Sequence, residues 1–350
     1  MHSAAERVTA LRQALRLADC AWADVPLMPL RDKGLAHDHV RLVGTGVLAR
    51  MPKQSQLGLG AQANLAYQRA CFERAAAGGH TPALRGVLPP SAALPRGALL
   101  VQEIVGRSAG LPADLAAMAR TLASLHALPL PAQRAPLLDA ADPLQALGEE
   151  IAVQAAHLPA AGVDPVVAQG IARELARFQH LCSAAARPQR RLIAFDGHPG
   201  NFIVDAAGRA VLVDLEKCRY SYPALDLAHA TLYTSTTWDL DTCAELSVDE
   251  VLGFYAAWSQ AVGPQAGPAQ RWLVPLRRAM WLWSVTWCAK WRALSPRAAS
   301  AGTEGEDWSA EHSDAALVAH VRNRVDHYLS APVLARVLDE FDALDRALAA

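Results

Sequence analysis

Residues 194–201 read AFDGHPGN, a short polar stretch between apolar runs that end at Phe195 and begin at Phe202. Asp196 and Asn201 are separated by a four-residue spacer that contains two glycines and one proline. Such a spacer is typical of a stiff turn. A surface turn would explain the pattern, and so would a metal site, because carboxylate and amide oxygens bind hard cations.

A third polar residue follows this stretch. Asp214, in the run VLVDLE, ends the next predicted hairpin, thirteen residues after Asn201. The segments RLIAF, FIVD and AVLVDLE predict short strands, and AAGR between the last two predicts a hairpin turn. A tight loop beside a hairpin would bring the two aspartates and the asparagine together. Phosphoryl transfer needs one carboxylate to accept a proton from the attacking hydroxyl, and oxygen ligands for magnesium. The pattern therefore favours a phosphoryl-transfer site.

The spacing D-x-x-x-x-N is also that of the kinase catalytic loop. The longer motif DGHPGN…VDLE…YPALDLA resembles the aminoglycoside phosphotransferase and choline kinase superfamily. That superfamily usually shows H-G-D-x-H-P-G-N, then I-D-W-E, then D-P-A-x-D-L-A. The resemblance is close over residues 196–228, and the order of the lobes agrees over most of the chain. The matching residues are Asp196, His198, Pro199, Gly200, Asn201, Asp214, Glu216 and Asp226.

The resemblance implies a protein-kinase-like bilobal fold that phosphorylates a small molecule with ATP and Mg²⁺. By the same resemblance Asp196 is the catalytic base, and Asn201 and Asp214 bind the metal. Glu216 is expected to touch metal or substrate, and Asp226 to brace the catalytic loop.

The sequence departs from the superfamily pattern directly before the base. The usual His-Gly is Ala194-Phe195 here, and the tryptophan of I-D-W-E is Leu215. The missing histidine normally orients the loop and does no chemistry itself. The chemical groups are therefore all present, while the preorganisation of the loop is in question.

The distribution of predicted strands and helices also divides the chain into two lobes, and the predicted fold class is α+β. Residues 1–105 predict an N-terminal nucleotide-binding lobe with an opening helix, an antiparallel sheet and one further helix. Its hairpin signal is Gly-Thr-Gly at 44–46, between HVRLV and GVLAR. Residues 106–350 predict a helical, catalytic and acceptor-binding lobe, interrupted by the short β-hairpin that bears the catalytic loop.

The nucleotide side lacks the P-loop motif G-x-x-x-x-G-K-[ST]. In a kinase-like lobe the cation for the phosphates lies on the third strand, which indicates Arg50 in GVLARMP, with Lys53 in reserve. A solvated charge on an edge strand is the alternative. Glu73 is the expected helix partner of Arg50, unless it is a plain surface glutamate. Backbone groups of the lobe hinge are expected to meet the adenine: Gln102, Glu103 and Ile104.

The acceptor side should lie in the helical lobe, facing Asp196. The run MWLWSVTWCAKW places Trp283 and Trp287 on one helix face and resembles the Trp-rich helix of choline and ethanolamine kinases. Aromatic faces attract quaternary ammonium groups by about 0.5–2 kcal/mol per ring. Packing into the core is the alternative for any single ring. Asp239 would favour a cationic acceptor, although a solvated loop explains it equally well.

The net charge and the cysteine spacing limit the partners and the cellular compartment that we expect. The formal net charge is −1, which gives no reason to expect nucleic acid or an anionic membrane as a partner. The six cysteines lie far apart with no C-x-x-C pair, which fits a reducing, cytoplasmic compartment. We expect an ATP-dependent O-kinase whose small cationic acceptor is a choline- or ethanolamine-like amino alcohol. An aminoglycoside or sugar phosphotransferase is the alternative within the superfamily, and a nucleotide-binding pseudokinase with a regulatory or scaffolding role is the alternative outside catalysis.

Overall fold

The computed structural model describes residues 4–31, 34–300, 302 and 305–349. Its first part is a small lobe in which an antiparallel sheet of five strands has the order β1-β2-β3-β5-β4. Two helices accompany this sheet, one before its first strand and one between β3 and β4. The elements are α1 (Ala4–Leu17), β1 (Leu27–Pro29), β2 (His37–Leu42), β3 (Val47–Pro52), α2 (Ala61–Ala75), β4 (Leu84–Leu88) and β5 (Ala98–Gln102).

Successive residues along a strand point to opposite faces of the sheet, and both faces of this sheet are packed. Ala98 and Leu100 face a core with Leu11 and Leu15 of α1. Leu99 and Val101 belong instead to the main core, which contains Leu65 and Phe72 of α2 and continues into the second lobe. The two lobes therefore share one hydrophobic core through α2.

The second lobe is mostly helical. Its longest helix, α9, packs against helices that precede it and helices that follow it. The helices are α3 (Leu115–His126), α4 (Pro143–Ala155), α5 (Pro165–Ser183), α6 (Pro223–Thr231), α7 (Tyr233–Thr236), α8 (Val248–Val262), α9 (Leu273–Leu294), α10 (Ala315–Tyr328) and α11 (Ala331–Ala349). Within the described ranges, we find no helix with both the length and the apolar character needed to cross a membrane.

Short strands at the lobe boundary position the catalytic loop. The order of one sheet is β6-β8-β9, and β7 pairs with β10 in the other. The strands are β6 (Arg107–Ser108), β7 (Arg191–Ile193), β8 (Phe202–Val204), β9 (Ala210–Leu212) and β10 (Arg219–Ser221). The loop 194–201 leaves β7 and enters β8, so each of its ends is fixed in a different sheet. The predicted hairpin is confirmed as β8 and β9, whereas the sequence did not indicate β10.

Candidate active site

The catalytic loop is held in shape by its own asparagine. The Asn201 side-chain amide donates to the Asp196 carbonyl at 2.9 Å. The Asn201 carbonyl accepts from the Val213 backbone N–H, also at 2.9 Å, which ties the loop to the segment that carries Asp214. Because the Asn201 nitrogen is used in this way, its side-chain oxygen is the atom left for a ligand.

A buried carboxylate braces the loop from behind. Asp226 accepts the backbone N–H groups of Ala194 and Phe195, both at 2.7 Å, and its side chain is fully buried. His126 lies 3.0 Å from the same carboxylate, and its other ring nitrogen accepts the Trp258 indole N–H at 3.0 Å. These contacts agree with the bracing role expected of Asp226. They also include His126 and Trp258, which the sequence analysis did not identify.

Phe195 adopts a backbone conformation that ordinarily favours glycine. Its φ is +61°, and the superfamily pattern has glycine at this position. The Phe195 ring is buried, packs edge-to-face on Trp283 with centroids 5.1 Å apart, and lies 3.7 Å from the Arg219 guanidinium. Burial of this ring offsets the strain of the left-handed backbone, which costs about 1–2 kcal/mol for a residue with a Cβ.

Asp196, the predicted base, carries an ion pair that the sequence analysis missed. Lys217 Nζ lies 2.7 Å from Asp196 Oδ2, and both side chains are largely buried. Burial, the largest single effect, opposes ionisation of Asp196, but Lys217 together with His198 and His229 outweighs it, and the pKa of Asp196 lies below its usual value. Asp196 is therefore a carboxylate at neutral pH, as a proton acceptor must be. The only signal in the sequence is the lysine that directly follows DLE.

Arg50 reaches the second carboxylate from the other lobe. Arg50 Nη2 donates to Asp214 Oδ1 at 2.7 Å, and Nη1 donates to the Val213 carbonyl at 3.3 Å. Burial, the largest single effect, disfavours the charged form of Asp214, but Arg50 together with His37 and Lys217 holds the pKa of that carboxyl well below its usual range. Arg50 is only 4% exposed, so the alternative of a solvated edge-strand charge is wrong.

Glu73 has a different ion-pair partner from the one predicted. It pairs with Arg69 at 2.8 Å on a half-exposed face of α2, whereas Arg50 pairs with Asp214. The expected Arg50–Glu73 ion pair is therefore wrong, and the surface alternative describes Glu73. The helical period explains the error, because Glu73 lies five residues after Gln68, which does face the cleft.

The contacts of Glu216 are made with the small lobe, and its predicted contact with metal or substrate stays a prediction. The Glu216 carboxylate accepts the side-chain amides of Gln56 at 2.5 Å and Gln68 at 3.3 Å, and His37 Nε2 lies 3.5 Å away. Burial, followed by the charge of Asp214, raises the pKa of Glu216 to about 8. Glu216 thus links the segment after Asp214 to the small lobe.

The oxygens near the cleft suit a hard cation. Asn201 offers its side-chain oxygen, and Asp214 offers an ionised carboxylate that is 26% exposed. Magnesium prefers such oxygen ligands and usually takes one or two carboxylates plus phosphate. His37, Asp214 and Glu216 also place possible ligand atoms within 4.8 Å of one another. A histidine nitrogen suits magnesium poorly, and Gln68 lies 3.1 Å from that nitrogen, so the first pair fits magnesium better.

The predicted hinge begins at the end of β5, with Gln102 as the last residue of that strand and Glu103 and Ile104 directly after it. The Gln102 N–H donates to the Ala83 carbonyl and the Glu103 N–H to the Gly46 carbonyl, both at 2.8 Å. Both hydrogen bonds remain within the small lobe. A contact between this hinge, Ile104 included, and adenine stays a prediction.

Trp283 and Trp287, two of the predicted acceptor residues, make different contacts. Trp283 is buried, donates its indole N–H to Glu150 at 3.2 Å, and has Lys217 Nζ 5.3 Å from its ring centre. Trp287 packs edge-to-face on Trp238 and Trp308, with centroids 5.8 and 5.5 Å apart.

Asp239 lies against the catalytic loop. A Cβ placed on Gly200 would come within 2.8 Å of Asp239 Oδ2 and 2.9 Å of the His198 ring. Gly200 is therefore required by close packing, and Asp239 is brought beside the base-bearing loop. Trp283 also contacts the loop through Phe195, whereas Trp287 contacts Trp238, the residue before Asp239.

Solved structures with the same architecture include kinases of two acceptor types. A choline/ethanolamine kinase family protein from Mesorhizobium loti is 17% identical, with a TM-score of 0.58 over 96% of this chain and 99% of its own. The ethanolamine kinase of Plasmodium vivax is 12% identical, with a TM-score of 0.61 over 93% and 89% of the two chains. An ADP-bound aminoglycoside phosphotransferase is 13% identical, with a TM-score of 0.52 over 93% and 98%. At these identities the similarity shows the fold, and it confirms the predicted protein-kinase-like architecture.

Sequence comparison identifies the family. None of the curated proteins searched matches this chain. The sequence model described as the phosphotransferase enzyme family matches residues 32–273, which contain both the catalytic loop and the small-lobe arginine. The chain therefore belongs to the phosphotransferase enzyme family and has the fold of its kinases.

Proposed function

We propose that this protein transfers the γ-phosphoryl group of ATP to a hydroxyl group of a small molecule, with Mg²⁺ as the metal. One observation carries the proposal: the cleft between the lobes brings together a buried ionised carboxylate, two oxygen ligands and a buried arginine. These are Asp196, Asn201, Asp214 and Arg50. Phosphoryl transfer depends on positioning and charge, which this set supplies.

In this mechanism Asp196 orients the acceptor hydroxyl and takes its proton. The hydroxyl oxygen forms a bond to the γ-phosphorus while the bond to the leaving ADP oxygen breaks. Asn201 and Asp214 would hold magnesium, which when bound neutralises charge on the phosphates. Arg50 is placed to exchange its present partner Asp214 for phosphate oxygens, since guanidinium binds both kinds of oxyanion.

For the acceptor we propose a small cationic amino alcohol of the choline or ethanolamine kind. Asp239 beside the catalytic loop supports it, as does the aromatic group of Trp238, Trp287 and Trp308. Trp283 supports it less, because Lys217 already places an ammonium near that ring. An aminoglycoside or a sugar is the alternative acceptor. The proposal also includes a cytoplasmic location, and neither nucleic acid nor membrane as a partner.

A nucleotide-binding pseudokinase is the second candidate, and one observation favours it. Both key carboxylates are engaged by the protein itself, Asp196 by Lys217 and Asp214 by Arg50. A regulatory protein could keep these pairs permanently. An enzyme must open the Arg50 pair when magnesium and ATP bind.

Product analysis by mass spectrometry separates the candidates. The purified protein is given MgATP with choline, ethanolamine, gentamicin or a set of hexoses, and Asp196→Asn is the matched control. We expect one phosphorylated product class that requires Asp196, with ATP binding retained in the variant. ATP binding without product from any compound would favour the pseudokinase, and equal product from the variant would refute the base assignment.

A further inference from the structure

The two oxygens of the Asp196 carboxylate have different surroundings. Oδ2 receives the Lys217 ammonium at 2.7 Å. Oδ1 faces Nδ1 of His229 at 3.7 Å, which is too long for a hydrogen bond. The lysine therefore occupies one oxygen of the base and leaves the other to accept a proton.

His229 is a buried side chain with an unsatisfied atom. It lies on α6, is 7% exposed, and its Nδ1 is buried without a hydrogen-bond partner. Such an atom costs free energy in the folded protein, so a native structure usually retains it for a reason. Burial lowers the pKa of His229 to about 4. The ring is therefore neutral at pH 7 and can carry its proton on either nitrogen.

The two atoms, Asp196 Oδ1 and His229 Nδ1, are 3.7 Å apart, which is too close for an oxygen on the line between them. A single oxygen beside that line can lie about 2.8 Å from both atoms, within hydrogen-bond range of each. We propose that the acceptor hydroxyl binds there, donating to Asp196 Oδ1 and accepting from the Nδ1–H of His229. This inference rests on the proposed function and assigns His229 as an acceptor-binding residue. During transfer the hydroxyl proton passes to Oδ1, the oxygen bonds to the γ-phosphorus, and the bond to ADP breaks, while His229 keeps its proton.

The surroundings of His229 fit an acceptor site. Its ring centre lies 5.9 Å from that of His198 in the catalytic loop and 6.4 Å from that of Trp283. The bound hydroxyl would then lie between the catalytic loop and the Trp-rich helix. Lys217, on the far oxygen, keeps the carboxylate from turning and so fixes which oxygen meets the hydroxyl.

A matched pair of buried histidines tests the proposal. His229→Phe removes an unsatisfied nitrogen, so we expect the variant to unfold at the same temperature as the wild type or higher. His126→Phe removes a histidine whose two nitrogens both have partners, so we expect it to unfold at a lower temperature. If His229→Phe is destabilised as much as His126→Phe, His229 is a structural residue and the proposal is overturned.

Kinetics supply the second arm, with ethanolamine as the probe, or choline if ethanolamine is not phosphorylated. His229→Phe should lower kcat/KM for the probe about tenfold or more, the usual worth of a lost hydrogen bond, while KM for ATP stays unchanged. His229→Asn, whose amide can replace Nδ1–H, should recover most of the loss. Unchanged kinetics in His229→Phe would overturn the proposal.

The two proposals can fail separately. If the wild type phosphorylates neither probe, ATP hydrolysis is measured, with water as the acceptor. A rate that depends on Asp196 but not on His229 overturns only the His229 assignment. If ATP is not hydrolysed and no compound of the acceptor panel is phosphorylated, the proposed function fails, and a lower unfolding temperature of His229→Phe would overturn the His229 assignment independently.

Discussion

Replacing Phe195 by glycine and by alanine tests the strain before the catalytic base. Truncation of a buried phenylalanine to alanine costs about 3–5 kcal/mol of unfolding free energy. At φ +61° alanine keeps the unfavourable backbone, whereas glycine relieves about 1–2 kcal/mol of it. We therefore expect Phe195→Gly to be more stable than Phe195→Ala by about 1 kcal/mol, the reverse of the usual order.

Phe202 is the matched control, because it is equally buried in the next strand and its φ is −108°. There glycine should be less stable than alanine by about 0.5–1 kcal/mol. Urea unfolding followed by tryptophan fluorescence gives the midpoints for all four variants. If the glycine variant is the weaker one at both positions, the backbone of Phe195 is not strained and the reasoning is refuted.

Three further predictions concern pH, the brace and the metal. Because the pKa of His229 is about 4 in the fold and about 6.5 in an unfolded chain, the unfolded state binds more protons between these pH values. Stability should then fall by about 3 kcal/mol as pH drops from 6.5 to 4, and His229→Phe should flatten this fall in urea titrations at each pH. Asp226→Asn should cost about 2 kcal/mol in the same assay, because an amide nitrogen cannot accept the N–H of Ala194 or Phe195; an unchanged midpoint would contradict the brace. EDTA should stop transfer, and Asn201→Ala should raise the Mg²⁺ concentration for half-maximal rate at least about tenfold; an unchanged Mg²⁺ dependence would remove Asn201 from the metal site.

Local pattern predicted the elements that bury one face or close a tight turn. The hairpin of β2 and β3, the hairpin of β8 and β9, and the helix α9 all follow from periodicity and turn residues. Strand β10 was missed because three residues carry no periodic signal, and it exists only through its pairing with β7. Pairing between distant segments cannot be obtained from local pattern.

The sequence predicted the site residues that belong to one short motif. It did not predict the residues that reach the site from other segments of the chain. Asp196, Asn201 and Asp214 share one short motif. Lys217 and His229 meet the base only because β10 and α6 fold back onto the catalytic loop. Glu73 was chosen as the only acid in its segment, but a charge type does not reveal which face of a helix points inward. The inward face of α2 is the buried one, and Gln68 is a buried polar residue of this helix.

The departure at Ala194-Phe195 now has a physical account. A histidine at 194 would have to orient the loop from within, but here Asp226 holds both backbone N–H groups of the pair. His126 and Trp258 in turn hold Asp226, so orientation comes from α3 and α8 behind the loop. Ala194 itself is fully buried. The Phe195 ring joins the loop to Arg219 and Trp283, so the strained backbone position also anchors the loop to the helical lobe.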